Sequence, residues 1–309
     1  MRVEVLQAQS LIAFVQHEAY KNFPFSLLPF QSPDLHIQIY EQETIVAYAS
    51  IFVKKNCFGH FFAKDERASV ALIDTIEQSA KEQGMFKIMG PMDSSTWFSY
   101  RLVTMSNTTA PFLLEPQNEL YLSTQFERCG YQKITNYLST ISSLEEAYDV
   151  RSQKVKKRLE SSGVRVRNID FKHFEEDLES LYSLSLSAFK SSAFFEPIEK
   201  ETFMMMYSAL KQVTLPDLCQ LLVDQDEVVG FMFAYIDKNR LILKSTAIKP
   251  MRKYQGSVIV LIEKILDYAK TIGCKEVIYA LMQDDNKTSV PVNRKAKVFR
   301  RYALYGKGL

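Results

Sequence analysis

Four cysteines and four histidines are spread through 309 residues, and no CxxC or paired-histidine spacing joins them. Cys57, Cys129, Cys219 and Cys274 therefore supply neither a disulfide frame nor a structural metal site, and each reads as a small buried hydrophobe. No apolar run approaches the ~20 residues that a membrane span needs. The opening "MRVEVLQAQSLIAF" lacks the basic start, apolar block and small-residue cleavage site of a signal peptide. The expectation is a soluble, cytoplasmic protein with no membrane partner. Excess charge of one sign is missing too: a net charge of +2 exerts little long-range pull on nucleic acid. Basic residues do concentrate in "RSQKVKKRLESSGVRVR", which reads as a solvated helix and linker.

What is present is enough chain for two cores. Hydrophobic residues make up 47% of the sequence, and its length suits two domains of about 150 residues each. In the first half, strands are expected at "VEVLQ", "HIQIYEQ", "TIVAYASIFVKK", "CFGHFFA" and "FKIMGPM", with a helix at "SLIAFVQHEAYKNF". A second helix, "DERASVALIDTIEQSAKEQG", carries Ala68, Ala71, Leu72, Ile76 and Ala80 on one stripe. Asp65 is its expected N-cap and Gly84 its stop. The second half repeats this order. Strands "VRVRNIDF", "LCQLLVDQ", "EVVGFMFAYID", "RLILKSTAIKP" and "EVIYALM" are joined by helices over "FEEDLESLYSLSLSAF", "EKETFMMMYSALKQ" and "GSVIVLIEKILDYAKTIG".

A constant shift overlays the halves: Ala80, Lys81 and Gly84 match Ala269, Lys270 and Gly273, each 189 positions later. Duplication explains the shared order of elements, and the boundary is expected near the basic run, giving domains 1–150 and 151–309. Under the overlay, the start of the first helix faces "RKYQGS" in the second half. A helix N-terminus offers unpaired N–H groups and partial positive charge, so it binds phosphate where small residues admit it and no acid is already there. Asp65 and Glu66 block the first; Arg252, Lys253 and Gly256 suit the second.

The second half resembles the GCN5-related N-acetyltransferases, whose loop runs [QR]-x-x-G-x-[GA]. In "KYQGSV", Lys253 takes the first position, Gly256 the glycine, and Val258 stands where the family keeps a small residue. The whole chain is similar to bacterial tandem proteins of this kind with a degenerate first domain, through "GPMDSSTWFSYRL", "YLSTQFERCGYQK", "FFEPIEKETF", "VVGFMFAYID" and "RRYALYGKGL". In the first of these, Trp97 and Phe98 replace the family's Asn and Asp.

The resemblance implies an α/β class, a mixed α+β sheet in each of two tandem acyl-CoA N-acyltransferase-like domains. It implies acetyl-CoA or another acyl-CoA as cofactor. Pantetheine would pair with Ser245, Thr246, Ala247 and Ile248, and pyrophosphate would sit on the N–H groups of Tyr254, Gln255, Gly256, Ser257 and Val258, beside Lys253. An amine, small or peptidic, would attack the thioester and a tyrosine would protonate the thiolate. Asn286 matches the start of the family's tyrosine-bearing segment, but no tyrosine follows there; the nearest are Tyr302 and Tyr305, which strand alternation sets on opposite faces. Glu196 is the candidate base, with Asp284 and Asp285 as alternatives. Two other readings stay open: a scaffold that has lost CoA binding, and an aminoacyl transferase using charged tRNA.

Overall fold

A computed structural model describes residues 1–7, 31–208, 211, 214–284 and 295–309. The expected helix at residues 10–23 lies outside these, as do Asp285 and Asn286. The chain forms two compact units. Unit 1 comprises Met1–Thr108, Leu114–Asn136 and Arg301–Leu309; unit 2 comprises Thr109–Leu113 and Tyr137–Arg300. The division thus differs from a single boundary after residue 150, because the chain ends in the unit where it began.

In unit 1, β1 (Arg2–Gln7), β2 (Leu35–Glu41), β3 (Thr44–Phe52) and β4 (Cys57–Ala63) pair antiparallel in sequence order. β5 (Lys87–Gly90) runs parallel to β4. The last strand of the chain pairs antiparallel with β5, from Tyr305 opposite Gly90 to Gly308 opposite Lys87. Alternation supplies the core: Ile37 and Ile39 of β2 are fully buried beneath α1 (Glu66–Glu82), whose Leu72, Ile73 and Ile76 cover the sheet. β6 (Leu102–Ser106) and α2 (Tyr121–Arg128) complete the unit, and Phe126 of α2 joins the same core.

Unit 2 takes the end of β7 (Gln132–Ser143), then α3 (Ser152–Ser161), β8 (Val164–Asn168), α4 (Phe174–Phe189) and α5 (Lys200–Ser208). β9 (Cys219–Asp224), β10 (Glu227–Asp237), β11 (Arg240–Ile248), α6 (Val258–Thr271) and β12 (Glu276–Gln283) follow. Strand order is β7-β12-β11-β10-β9-β8, and only the β11/β12 pair is parallel. Leu261, Ile262, Ile265, Leu266 and Ala269 of α6 pack into this core as their 3.6-residue spacing requires. β13 (Lys297–Gly308) leaves unit 2 after Arg300 and enters unit 1.

The 189-residue shift is reproduced in backbone geometry. α1 ends at Glu82 and α6 at Thr271, and Gly84 and Gly273 follow with φ of +74° and +81°. Met85 N–H bonds Ala80 O at 3.0 Å, and Cys274 N–H bonds Ala269 O at 3.0 Å. These matched closures satisfy the last carbonyls of each helix through a left-handed glycine.

Candidate functional site

The wedge of unit 2 begins where β11 and β12 part. Their parallel register runs from Arg240 opposite Glu276 to Leu243 opposite Tyr279 and goes no further, although β11 continues to Ile248. Two irregularities drive the strands apart. One interrupts β10/β11 pairing between Phe233 and Ala234, leaving Lys244 outside the register. The other lies in β12, where Leu281 has φ +58° and gives its N–H to Ser139 Oγ at 3.0 Å, turning the strand toward β7.

Beyond the parting, main-chain direction decides what the edge offers. Lys249 N–H bonds Val229 O on the β10 side at 2.8 Å, and Thr246 Oγ1 donates to Phe231 O at 2.7 Å. Alternation then points the peptide groups of Ser245 and Ala247 toward β10, and those of Thr246 and Ile248 toward the open side. Of the four residues expected to meet pantetheine, two therefore present donor and acceptor groups there.

The turn above this edge is a 3-10 segment, Arg252–Tyr254, followed by Gly256 with φ +79°. The regular helix starts at Val258, two residues later than the sequence indicates, because the left-handed glycine interrupts it. The N–H groups of Tyr254, Gln255 and Ser257 are already bonded, to Met251 O, Arg252 O and Tyr254 O at 3.0, 3.2 and 3.0 Å. Those of Gly256 and Val258 bond nothing among the described residues. The five-amide cradle is thus reduced to two free donors. Ser257 Oγ is buried without a partner, and Tyr254 is buried with its hydroxyl on Asp224 Oδ2 at 2.5 Å.

Lys253 does not point freely at this turn. Its ammonium pairs with Asp224, whose carboxyl is held below its usual range first by Lys253 and then by Tyr254. Exposed Arg252 has no ion-pair partner among the described residues. A second cation arrives from the basic run, whose expected helix and strand form α3 and β8 of unit 2 with only a short turn between them. Arg158 of α3 donates to Gln255 O, and a Cβ on Gly256 would lie 3.7 Å from Val155 Cγ2. The wall that α3 builds beside the turn was hidden in the sequence; its one signal was Val155 and Leu159 at helical spacing within the charged run.

Unit 1 shows the same wedge filled. β4 meets β5 only at Cys57 opposite Met89. The segment after β5 then folds back into the gap: Met92 N–H bonds Phe58 O at 2.7 Å, and Asp93 Oδ1 accepts His60 N–H at 2.6 Å. A Cβ on Gly59 would stand 2.4 Å from Met92 O, so only glycine admits this approach. At the helix start, Asp65 accepts Ala68 N–H at 2.8 Å, capping α1 internally as its carboxylate predicts.

No protein-family model matches the sequence, and no curated protein matches it. Among solved structures, a GCN5-related N-acetyltransferase from Sphaerobacter thermophilus is similar over 99% of this chain and 95% of its own, at 14% identity and TM-score 0.55. A GNAT-family acetyltransferase from Colwellia psychrerythraea matches over 100% of both chains at 10% identity and TM-score 0.55. A tandem GNAT protein of the clavulanic acid biosynthesis pathway matches over 99% of this chain and 98% of its own, at 9% identity and TM-score 0.55. The fold is that of the GCN5-related N-acetyltransferases.

Within this acetyltransferase fold the remaining candidates scatter. Tyr302 and Tyr305 lie in the part of β13 that belongs to unit 1, whereas the Gly256 turn belongs to unit 2. Both are fully buried rather than one facing a site, because both faces of that strand are covered. Tyr302 donates to Glu115, and Tyr305 reaches Glu127 Oε1 at 3.4 Å, with burial pushing its phenol pKa up. Glu196 is half-buried in the loop between α4 and α5 of unit 2. Asp284 is exposed just after β12.

Proposed function

We propose that unit 2 binds acetyl-CoA or another acyl-CoA and transfers the acyl group to an amine, small or peptidic, while unit 1 binds no acyl-CoA. The observation that carries this reading is the open β11 edge beneath a left-handed glycine turn. Thr246 and Ile248 offer main-chain groups to pair with pantetheine. The N–H groups of Gly256 and Val258, at the positive end of α6, suit one phosphate of the diphosphate, and Arg252 supplies charge.

The chain's own residues would then hold the thioester at the parting of the strands and leave the amine to enter beside the α4–α5 loop. Glu196 is the base in this reading, taking a proton from the substrate's ammonium so that the neutral amine can attack the thioester carbonyl and release CoA as its thiolate, to be protonated by solvent. Neither Tyr302 nor Tyr305 is given the role of acid, since each phenol is buried in unit 1.

A second reading, a binding protein that has lost CoA, is favoured by two observations: Lys253 is held by Asp224, and three of five turn amides are engaged. Isothermal titration of the full chain with acetyl-CoA separates the two. One binding site, abolished by Gly256→Glu, supports the transferase; no heat at millimolar cofactor supports the scaffold.

A further inference from the structure

α3 lies along α6 in the opposite direction. Ser152 Oγ donates to Glu263 Oε1 at 2.6 Å, whereas Arg158, six residues on, meets the carbonyl of Gln255, ahead of the start of α6. The end of α3 therefore overhangs the Gly256 turn. Val155 and buried Leu159 pack inward, so helical spacing sets Lys154, Lys157 and Arg158 on the outer face, and all three are exposed. Glu160, the one acid of α3, comes two residues after Arg158 and so points to the other side of the helix.

This row carries charge that the chain does not balance. Neither Lys154 nor Lys157 has an ion-pair partner among the described residues, and nor has Arg252 at the turn. The neighbouring cations are matched, Lys249 by Glu227 and Lys253 by Asp224. An exposed row of one sign complements an acidic surface.

The turn narrows the chemistry of what brings that surface. Its two free amides, of Gly256 and Val258, are enough for one phosphate. From Ile248 to Leu243 the β11 edge runs ~17 Å at 3.3 Å per residue, room for an extended pantetheine arm down to the parting of the strands. Whatever the phosphate is esterified to is then left outside, beside α3. Coenzyme A continues there with a second phosphate and an adenosine, but no further amide of the turn is free and α3 has no aromatic residue on which a base could stack. Phosphopantetheine on a carrier protein has one phosphate, and it continues with the serine that bears it and that protein's own surface.

From this we infer that unit 2 takes its acyl group from an acidic carrier protein as well as from CoA. The carrier's serine-linked phosphopantetheine lies along β11 while its acidic surface docks on Lys154, Lys157 and Arg158. The inference rests on the acyltransferase reading and keeps its chemistry: the amine nitrogen bonds the thioester carbon and the C–S bond breaks. Glu196 takes one proton from the ammonium, and the second proton shed by the nitrogen passes through solvent to the departing phosphopantetheine thiolate.

The test is isothermal titration of the full chain with an acyl carrier protein in its apo and acetyl forms, with acetyl-CoA and with an RNA hairpin, at low and high salt. The acetyl carrier should bind at least tenfold more tightly than the apo form, weaken as salt is added, and be displaced by acetyl-CoA. Lys154→Glu combined with Lys157→Glu should weaken it at least tenfold; both lysines are exposed, so this variant leaves the core intact. Four results would each overturn the inference: equal affinity for the apo and acetyl forms, unchanged affinity in the double variant, no displacement by acetyl-CoA, or an RNA hairpin bound as tightly as the acetyl carrier. Binding of acetyl-CoA without binding of the carrier overturns this inference alone, and binding of neither removes the acyltransferase reading with it.

Discussion

The guanidinium of Arg158 donates to the main-chain carbonyl of Gln255, a residue 97 positions further along the chain. This contact ties the basic helix to the turn at which a diphosphate would sit, and it holds that carbonyl away from the anion. Arg158→Ala removes both the tether and a cation. An exposed charge-assisted bond contributes about 1 kcal/mol, or roughly fivefold in affinity. The variant should bind acetyl-CoA about fivefold more weakly by calorimetry, with unchanged far-UV circular dichroism. An unaltered Kd would show that α3 takes no part in the site.

Gly84 and Gly273 close matching helices, and an added Cβ at either would meet nothing within 4 Å. The penalty for alanine is then set by the left-handed backbone alone, about 1–2 kcal/mol. Gly84→Ala and Gly273→Ala should lower stability by similar amounts in urea unfolding. Gly59→Ala should be far worse, because its Cβ would stand 2.4 Å from Met92 O and 2.5 Å from Asp93 Oδ1. A Gly59→Ala loss no greater than that of Gly84→Ala would mean the wedge of unit 1 is not closed by this contact.

These glycines also show how much a sequence discloses. The glycine stops of α1 and α6, the runs of strands β1–β5 and β8–β12 and the 189-residue repeat are legible, since period, capping residue and glycine stop are local properties, whereas β6 and β7 are not. Asp65 and Gly84 bound α1 as read. What was not legible depends on partners distant in sequence. The alternation of "RRYALYGKGL" announces a strand but not which sheet it joins, and Tyr302 and Tyr305 fall in unit 1 rather than with the bulk of residues 151–300. Asp93 sits in a polar loop whose composition says nothing of His60, 33 positions away. Lys253 looked free because Asp224 lies on another strand.

The buried polar cluster of unit 1 should govern its acid stability. Ser50 Oγ lies 2.9 Å from both His36 Nδ1 and His60 Nδ1, and His60 Nε2 meets Gln31 Oε1. An amide oxygen only accepts, so His60 carries its proton on Nε2, Ser50 donates to His60, and His36 donates to Ser50. Burial lowers the His36 pKa to about 4 and, with repulsion from His36, that of His60 to about 3. Burial raises Asp93 to about 7.

Between pH 6.5 and 4 the unfolded chain takes up two histidine protons that the folded unit refuses, so stability falls with acid. Asp93 acts oppositely, since the folded unit keeps its proton up to about pH 7 while the unfolded chain has released it. Two groups against one leave a net loss of about 1.4 kcal/mol per pH unit. Asp93→Asn should double that slope and His36→Gln should nearly abolish it. Hydrogen exchange at Leu72 and Ile73, in the core of unit 1, reads the opening free energy directly. Identical slopes in wild type and Asp93→Asn would remove Asp93 from the account.

Asp224 offers the sharpest test of the turn itself. Its carboxylate engages Lys253 and accepts Tyr254 OH at 2.5 Å, so the cation at the first position of the loop is neutralised within the chain. Asp224→Asn keeps an acceptor for Tyr254 and removes the charge that holds Lys253. If the turn binds a diphosphate, freeing that ammonium should tighten acetyl-CoA binding about three- to tenfold at low salt, and the gain should shrink as added salt screens it. If the turn is a solvated helix start with no anion to meet, the substitution should leave Kd unmeasurable at every salt concentration. A gain that salt does not diminish would locate the effect in a rearranged backbone rather than in the released charge.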